Sequence, residues 1–286
     1  MEKIHYTEIF YSLQGEGRWA GVPSVFFRTY GCNFRCKKFG RDRNETIEGA
    51  NPEVAEIIKN ITLYPKFEDL PLVKSGCDSY ASIYPEFKHF SEVETPEEIT
   101  ERILKLIPNN KWSMDPISDD VHLVITGGEP LLAYQQLYPE LIEINRAQGL
   151  RNLTFETNGS QELYPEVWEY LQQDFTNHGR HRDRLTFSVS PKLPGSGEKW
   201  DKSFDDIGMT YLKFVISTEQ DLEDVDRAVF KYREAGFTGP VYLMPVGGVE
   251  SVYSLNNRRV AELAMANGLR YSDRLQVPLF KNEWGT

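Results

Sequence analysis

The chain has 286 residues, 40% of them hydrophobic and 13% aromatic, enough to bury one large core without division into separate domains. Its formal charge of -11 argues against a general nucleic-acid surface, which needs clustered Lys and Arg to release counterions at phosphates, so no direct nucleic-acid partner is expected. No apolar run reaches membrane-spanning length, and MEKIHYTEIFYSLQGEG lacks the basic and apolar regions of a secretory signal. No membrane partner and a cytoplasmic location are therefore expected.

The first thirty residues read as two strands, IHYTEIFYS and SVFFRTYG, rich in β-branched and aromatic residues and separated by the glycine-rich turn QGEGRWAGVP. From Cys36 to Glu94 regular alternation is lost, apart from a helical stretch near Pro52 to Lys59. Thr95-Pro96-Glu97-Glu98 then opens a helix with a capping box and proline at its first position, followed by the apolar spacing Ile99, Ile103, Leu104, Ile107. Next come a strand at 121–126 (VHLVIT), a helix over about 131–148, a strand at 152–157 (NLTFET) and a helix near 164–173. The basic cluster His178 to Arg184 (HGRHRDR) reads as a solvated loop without function. Strands at 185–190 and 211–217, a helix from Glu219 to Ala235, a strand at 241–246, a helix over Leu255 to Asn267 and a short last strand near Arg274 to Val277 complete the pattern. Strands separated by helices mean βα crossovers and a mainly parallel sheet with ligands at the strands' carboxyl ends. About six βα units are visible, fewer than the eight of a closed barrel, which predicts a curved, partly open α/β barrel. No internal repeat or low-complexity tract interrupts it.

Three cysteines are an odd count, and in a cytoplasmic chain they are better read as ligands or buried small residues than as a disulfide framework. Cys32 and Cys36 follow the second strand in GCNFRC, a C-x3-C pair that by itself equally suits two free core cysteines. A structural zinc site needs four ligands and usually two close pairs; Cys77 and His89 could complete a Cys3His set, but no second pair supports it. A cluster with one iron left open needs only three thiolates. After the strand at 121–126, Gly127-Gly128-Glu129-Pro130 offers close backbone approach, the free N–H groups of a helix start and, in Glu129, an acceptor for an ammonium.

GCNFRC followed by TGGEP resembles the radical S-adenosylmethionine superfamily, and EIFYSLQGEGRWAGVPSVFFRTYGCNFRC, FETNGS, SVSPK, YLKFVI and RLQVPLFKNEWGT are similar to its 7-carboxy-7-deazaguanine synthase family. The resemblance covers nearly the whole chain except about Lys37 to Gly76. It departs from the family at the third cluster ligand, where Phe39 stands, while Cys77-Asp78-Ser79 reproduces the family's Cys-Asp-Thr triplet with serine for threonine. An insertion at 37–76 within the cluster-binding loop of a single 1–286 domain is therefore expected, a tolerable excursion because loop-closure cost grows only logarithmically with length.

The resemblance implies a carbon-nitrogen lyase in 7-deazaguanine (queuosine- or preQ0-type) biosynthesis. In the family, a reduced 4Fe-4S cluster cleaves S-adenosylmethionine, hydrogen is taken from 6-carboxy-5,6,7,8-tetrahydropterin, the ring contracts, ammonia leaves and the hydrogen returns, giving 7-carboxy-7-deazaguanine. It further implies cluster ligation by Cys32, Cys36 and Cys77, magnesium on Ser79, and S-adenosylmethionine binding by Gly128, Glu129, Ser190 and Lys192. Substrate contacts implied are Leu13, Gln14, Gly15, Glu16, Arg28, Thr126, Gln276 and Thr286. Gln14 and Glu16 suit a guanine-like edge and Arg28 a bidentate carboxylate pair, unless Arg28 is spent on a structural salt bridge. Trp284 to Thr286 are expected to close the pocket. Homodimerisation and an electron donor such as a flavodoxin or ferredoxin also follow from the resemblance, and the inserted cluster loop resembles variants carried by bacterial viruses, which would place the protein in a host cytoplasm. The rival readings are a glycyl-radical enzyme activase, against which SLQGEG and SPK speak, and a cluster-free interaction protein that retains the fold.

Overall fold

Strands β1 (Ile4–Leu13) and β2 (Pro23–Thr29) form an antiparallel pair across the QGEG turn in the computed structural model, which describes residues 2–112, 121–176, 184–200 and 211–286. Helix α1 (Pro52–Lys59) follows, and strand β3 (Glu92–Glu94) pairs with the outer edge of β1. Helix α2 (Pro96–Leu106) starts at the expected capping box: the Thr95 hydroxyl accepts from Glu98 N–H, and the Glu98 carboxylate accepts from Thr95 N–H at 2.9 Å. Then come β4 (His122–Gly127), α3 (Tyr138–Ala147), β5 (Asn152–Thr157), α4 (Pro165–Thr176), β6 (Arg184–Val189), β7 (Tyr211–Ile216), α5 (Glu219–Glu234), β8 (Val241–Pro245), α6 (Glu250–Ala266), β9 (Arg270–Tyr271) and α7 (Gln276–Phe280).

Among the described residues all nine strands lie in one sheet ordered β3-β1-β2-β4-β5-β6-β7-β8-β9, parallel from β2 onward. The two edge strands do not meet, so the barrel is partial and open, as the count of units predicted. Helices α2, α3, α4, α5 and α6 make five of the six parallel crossovers; the crossover from β6 to β7 passes a 3-10 turn at Pro194–Ser196 and residues 201–210 outside the described set. Leu123 and Ile125 of β4, Phe155 of β5 and Phe214 of β7 are fully buried in one core that also takes in Ile103 of α2 and Leu141 of α3. Near-continuous burial along β4, β5 and β7 is what a helix-covered parallel sheet requires.

Four expectations shift. Helix α3 begins at Tyr138 rather than 131, because the Gln135 side chain bonds Leu131 O, Glu162 O and Tyr164 N–H and fixes the preceding residues as a turn. Helix α6 begins at Glu250, five residues before Leu255. The strand expected at Arg274 to Val277 is absent: the last strand is β9, and Gln276 starts the short helix α7. A two-residue strand carries no period to read, whereas the apolar spacing of RLQV imitated one. The edge strand β3 was not anticipated. Most of the basic cluster, His178 to Asp183, lies outside the described residues.

A second, smaller hydrophobic core gathers Val54, Ile57, Phe67, Tyr80, Tyr84 and Phe87. Little of it is regular; it is held by 3-10 turns, a buried Asn51 that caps α1, and aromatic edges such as Tyr80 on Phe87 at 5.1 Å.

Candidate active site

A cavity of about 220 Å³ opens where the parallel strands end. Its lining includes Arg28 from β2, Thr126 from β4, Glu156 from β5, Ser188 from β6, Lys213 from β7 and Met244 from β8. Strand ends from nearly every crossover thus contribute a side chain to one space, the position in which open α/β sheets take ligands.

On the turn after β1, Glu16 is the hub. Its carboxylate pairs with Lys213, accepts from Arg274 Nε at 3.1 Å and from Gln276 Nε2 at 2.8 Å. Burial pushes this carboxyl up, but Lys213 and Arg274 overcome it and hold it at about 2. Burial alone would discharge Lys213; Glu16 and Glu156 instead raise its pKa above the ordinary lysine value. Arg274 also pairs with Asp78 and donates to Gly247 O at 2.6 Å. Gln14 donates to Glu156 at 3.0 Å while its own oxygen accepts from Glu16 N–H. Gly15 has no room for a side chain, since Gln276 Oε1 lies 1.8 Å from where its Cβ would be.

Arg28 makes the structural salt bridge weighed against its ligand role: its Nε donates to Glu8 at 2.7 Å and its Nη1 to Ser79 Oγ at 2.8 Å. That second bond bears on magnesium. The ion keeps several of its waters and takes one or two protein oxygens; here the Ser79 hydroxyl accepts from a guanidinium and the neighbouring Asp78 is held by Arg274. A magnesium ion on Ser79, keeping most of its waters, would have to displace Arg28 from that hydroxyl.

The three thiols do fit a cluster. Cys36 and Cys77 line the cavity, and Cys32 packs behind Gly128, whose Cβ would fall 2.7 Å from the Cys32 Cβ and 2.3 Å from Gly31 O. All three act on one another electrostatically. Burial pushes Cys32 up to about 11, Cys77 up to about 12 and Cys36 well above the usual thiol value, so the three are neutral thiols as they stand and would ligate as thiolates only beside a bound cationic centre. Among the described residues no three such side chains surround a single ion's position; a multinuclear cluster spaces its thiolates by its own width. The Cys3His zinc alternative fails differently: His89 lies exposed, bonded to Glu86 O at 3.0 Å.

Cys77 reaches this place although forty residues separate it from Cys36. Gly76 N–H donates to Phe39 O at 2.7 Å and the Asn51 amide donates to Lys37 O at 2.9 Å and Ser75 Oγ at 3.2 Å, so the chain leaves and returns at one pinned point. Phe39, at the position of the missing third cysteine, lines the cavity beside Lys192, whose Nζ lies 5.9 Å from the ring centroid and donates to Ser190 Oγ at 3.0 Å.

The GGEP turn works otherwise than expected. No helix starts there: Gly128 N–H and Glu129 N–H donate to Thr29 O and Gly31 O. Glu129 is buried, does not line the cavity, and accepts from Leu131 N–H, Thr157 Oγ1 and Asn158 N–H, so its carboxylate binds the turn to the end of β5. Gly128, Ser190 and Lys192 do line the cavity, as do Leu13, Thr126, Gln276 and Thr286. Trp284 to Thr286 form one wall, with Trp284 seated in the second core against Phe67 at 4.7 Å and donating to Leu70 O at 2.7 Å. Sequence reasoning missed Glu8, Asp78, Glu156, Lys213 and Arg274 as site residues. The available signal was a charge inside an apolar strand, as Lys213 stands in YLKFVI and Glu156 in NLTFET.

Set against solved structures, the chain has the fold of the crystal structure of QueE from Escherichia coli, with a TM-score of 0.55 at 19% identity over 94% of this chain and 93% of that one. The fold class is thereby the partial, open α/β barrel. Among curated proteins the chain is similar to the 7-carboxy-7-deazaguanine synthases of Halobacterium salinarum (28% identity, 96% of this chain and 90% of that protein), Pyrobaculum aerophilum (28%, 99% and 97%) and Rhodopirellula baltica (29%, 98% and 88%). These near full-length relatives bear out the resemblance read from the motifs. No family model matches the chain.

Proposed function

We propose that the protein is a radical S-adenosylmethionine lyase that converts 6-carboxy-5,6,7,8-tetrahydropterin to 7-carboxy-7-deazaguanine with loss of ammonia, in 7-deazaguanine biosynthesis. The observation that carries the reading is the return of Cys77 to the cavity beside Cys36, across the Phe39–Gly76 hydrogen bond. Residues 37–76 are then an insertion in the cluster-binding loop that leaves the ligand set intact. Cys32, Cys36 and Cys77 would hold a 4Fe-4S cluster, which when bound and reduced supplies the electron that cleaves S-adenosylmethionine.

The chain's own residues bind, orient and exclude water. Gly128 gives the cofactor's amino-acid end close backbone approach, and Ser190 and Lys192 face the same space from the end of β6. Gln14, Glu16 and Gln276 are polar groups of the cavity lining fixed by mutual bonds, suited to a guanine-like edge. Arg28, already oriented by Glu8, is the cation for the substrate carboxylate, and Leu13, Gly15, Thr126 and Thr286 complete the walls. Full-length relatives that bear the synthase name favour the lyase over a glycyl-radical activase. An external low-potential electron donor such as a flavodoxin or ferredoxin, a homodimer and a cytoplasmic location belong to the same reading.

The test is anaerobic turnover of the carboxytetrahydropterin with S-adenosylmethionine and a reductant. Deazaguanine acid formed without net consumption of the cofactor is expected; cofactor cleavage without product would overturn the proposal. Cys77→Ala should abolish the 4Fe-4S absorption band, and a band left unchanged would remove Cys77 from the ligand set.

A further inference from the structure

Cys36 has a positive φ of 47°, a conformation rare for a residue other than glycine, asparagine or aspartate. What holds it there comes from 162 residues away. Glu198 Oε1 accepts both Cys36 N–H at 2.6 Å and Arg35 N–H at 2.8 Å. Two residues on, Lys38 N–H donates to Ser196 O at 3.0 Å. The segment Ser196-Gly197-Glu198 thus satisfies three backbone donors of the cysteine loop. Its own shape is fixed: Gly197 has φ 86°, a Cβ there would meet the Lys38 side chain at 2.9 Å, and Glu198 N–H donates to Ser196 Oγ at 3.3 Å.

The two amides have a second consequence. Backbone N–H groups near a cluster commonly donate to its sulfurs and raise its reduction potential, and nearby negative charge lowers it. In this loop Phe34 N–H does turn to Cys32 Sγ, at 3.4 Å, but the N–H groups of Arg35 and Cys36 are given to a carboxylate instead. We infer that Glu198 is a positioning residue for the cluster: it sets the Cys36 backbone in its left-handed turn and holds a negative charge and two diverted amides beside that ligand, keeping the cluster strongly reducing. The inference rests on the cluster assignment to Cys32, Cys36 and Cys77.

The test uses the full chain, reconstituted anaerobically with iron and sulfide, as wild type, Glu198→Gln and Glu198→Ala. Glutamine keeps an acceptor for both amides without the charge, so Glu198→Gln should retain wild-type iron and sulfide per chain while its midpoint potential, followed by electron paramagnetic resonance during reductive titration, moves to a more positive value. Alanine removes the acceptor, and Glu198→Ala should lose iron to a chelator at least about tenfold more readily, the scale found when outer partners of metal ligands are removed. A potential unchanged in Glu198→Gln overturns the inference, as does wild-type chelator resistance in a Glu198→Ala chain whose circular dichroism shows it folded. If Glu198→Ala does not fold, the potential of Glu198→Gln decides alone. Failure of the wild-type chain to take up a cluster would instead bring down the cluster reading itself, and this inference with it.

Discussion

The two hydrophobic bodies of the molecule are built on opposite plans. The larger is made of periodic elements: parallel strands whose side chains pack against amphipathic helices, each element stabilised by its own backbone ladder before any packing is counted. The smaller, from Val54 to Phe87, has one eight-residue helix and otherwise short 3-10 turns. Its order depends on aromatic contacts and single side-chain bonds, such as the Tyr80 hydroxyl to Pro71 O at 2.8 Å. Yet it is the smaller body that carries Cys77, Asp78 and Ser79 and seats Trp284. Irregular chain, once packed, holds functional groups as firmly as a strand end does, but it leaves no period in the sequence by which to find it.

The sharpest way to break the large body is Phe155→Ala. The ring is fully buried between Tyr138 at 5.6 Å and Phe187 at 5.5 Å, and its loss should cost about 3–5 kcal/mol in urea unfolding, lowering the midpoint of the whole barrel.

Acid should act next, on the charges that tie the two bodies together. Arg274 bridges Glu16 of the barrel and Asp78 of the smaller body, and both carboxyls are held below their usual values against the upward push of burial. A depressed carboxyl stabilises the fold fully above its unfolded value, 4.5 for Glu16, and this stability drains away as pH falls towards about 2. The expected loss from Glu16 is about 3 kcal/mol over that window, measured as a falling unfolding midpoint. A midpoint flat from pH 5 to 2.5 would mean the network contributes nothing.

The smallest effect on stability, and the most selective, should come from Trp284→Ala. The side chain is only partly buried, so a loss of about 1–2 kcal/mol is expected, with the barrel's transition almost unmoved. Turnover should suffer more: the substrate KM should rise at least about tenfold, which corresponds to about 1.4 kcal/mol of binding, while iron content stays at the wild-type level. An unchanged KM would mean that the smaller body does not support the pocket wall.

The barrel was legible because its signals are local. Alternation marked β1 and β2, Thr95 and Glu98 marked the start of α2, and GCNFRC and TGGEP placed the cysteine loop and its neighbouring turn. Glu16 was found from the QGEG turn, but its partners Lys213 and Arg274 lie about two hundred residues or more away, and no spacing encodes such pairings. Glu129 was read from its motif as a ligand, and no motif spacing shows that its carboxylate also accepts from Leu131, Thr157 and Asn158. Arg274 was read within a strand because RLQV alternates; in fact it follows β9 and precedes α7.

The hydrogen bond from Gly76 to Phe39 has one more implication. An excursion whose two ends are pinned together, by this bond and by Asn51 donating to Lys37 O and Ser75 Oγ, brings Cys77 back to Cys36 whatever the number of residues between them. Spacing, the usual currency of a motif, is here a free variable. The excursion is nevertheless not disposable: shortening it to a tight turn would keep Cys77 in place but strip Phe67 and Leu70 from Trp284, leaving the ligands correct and the pocket without its wall.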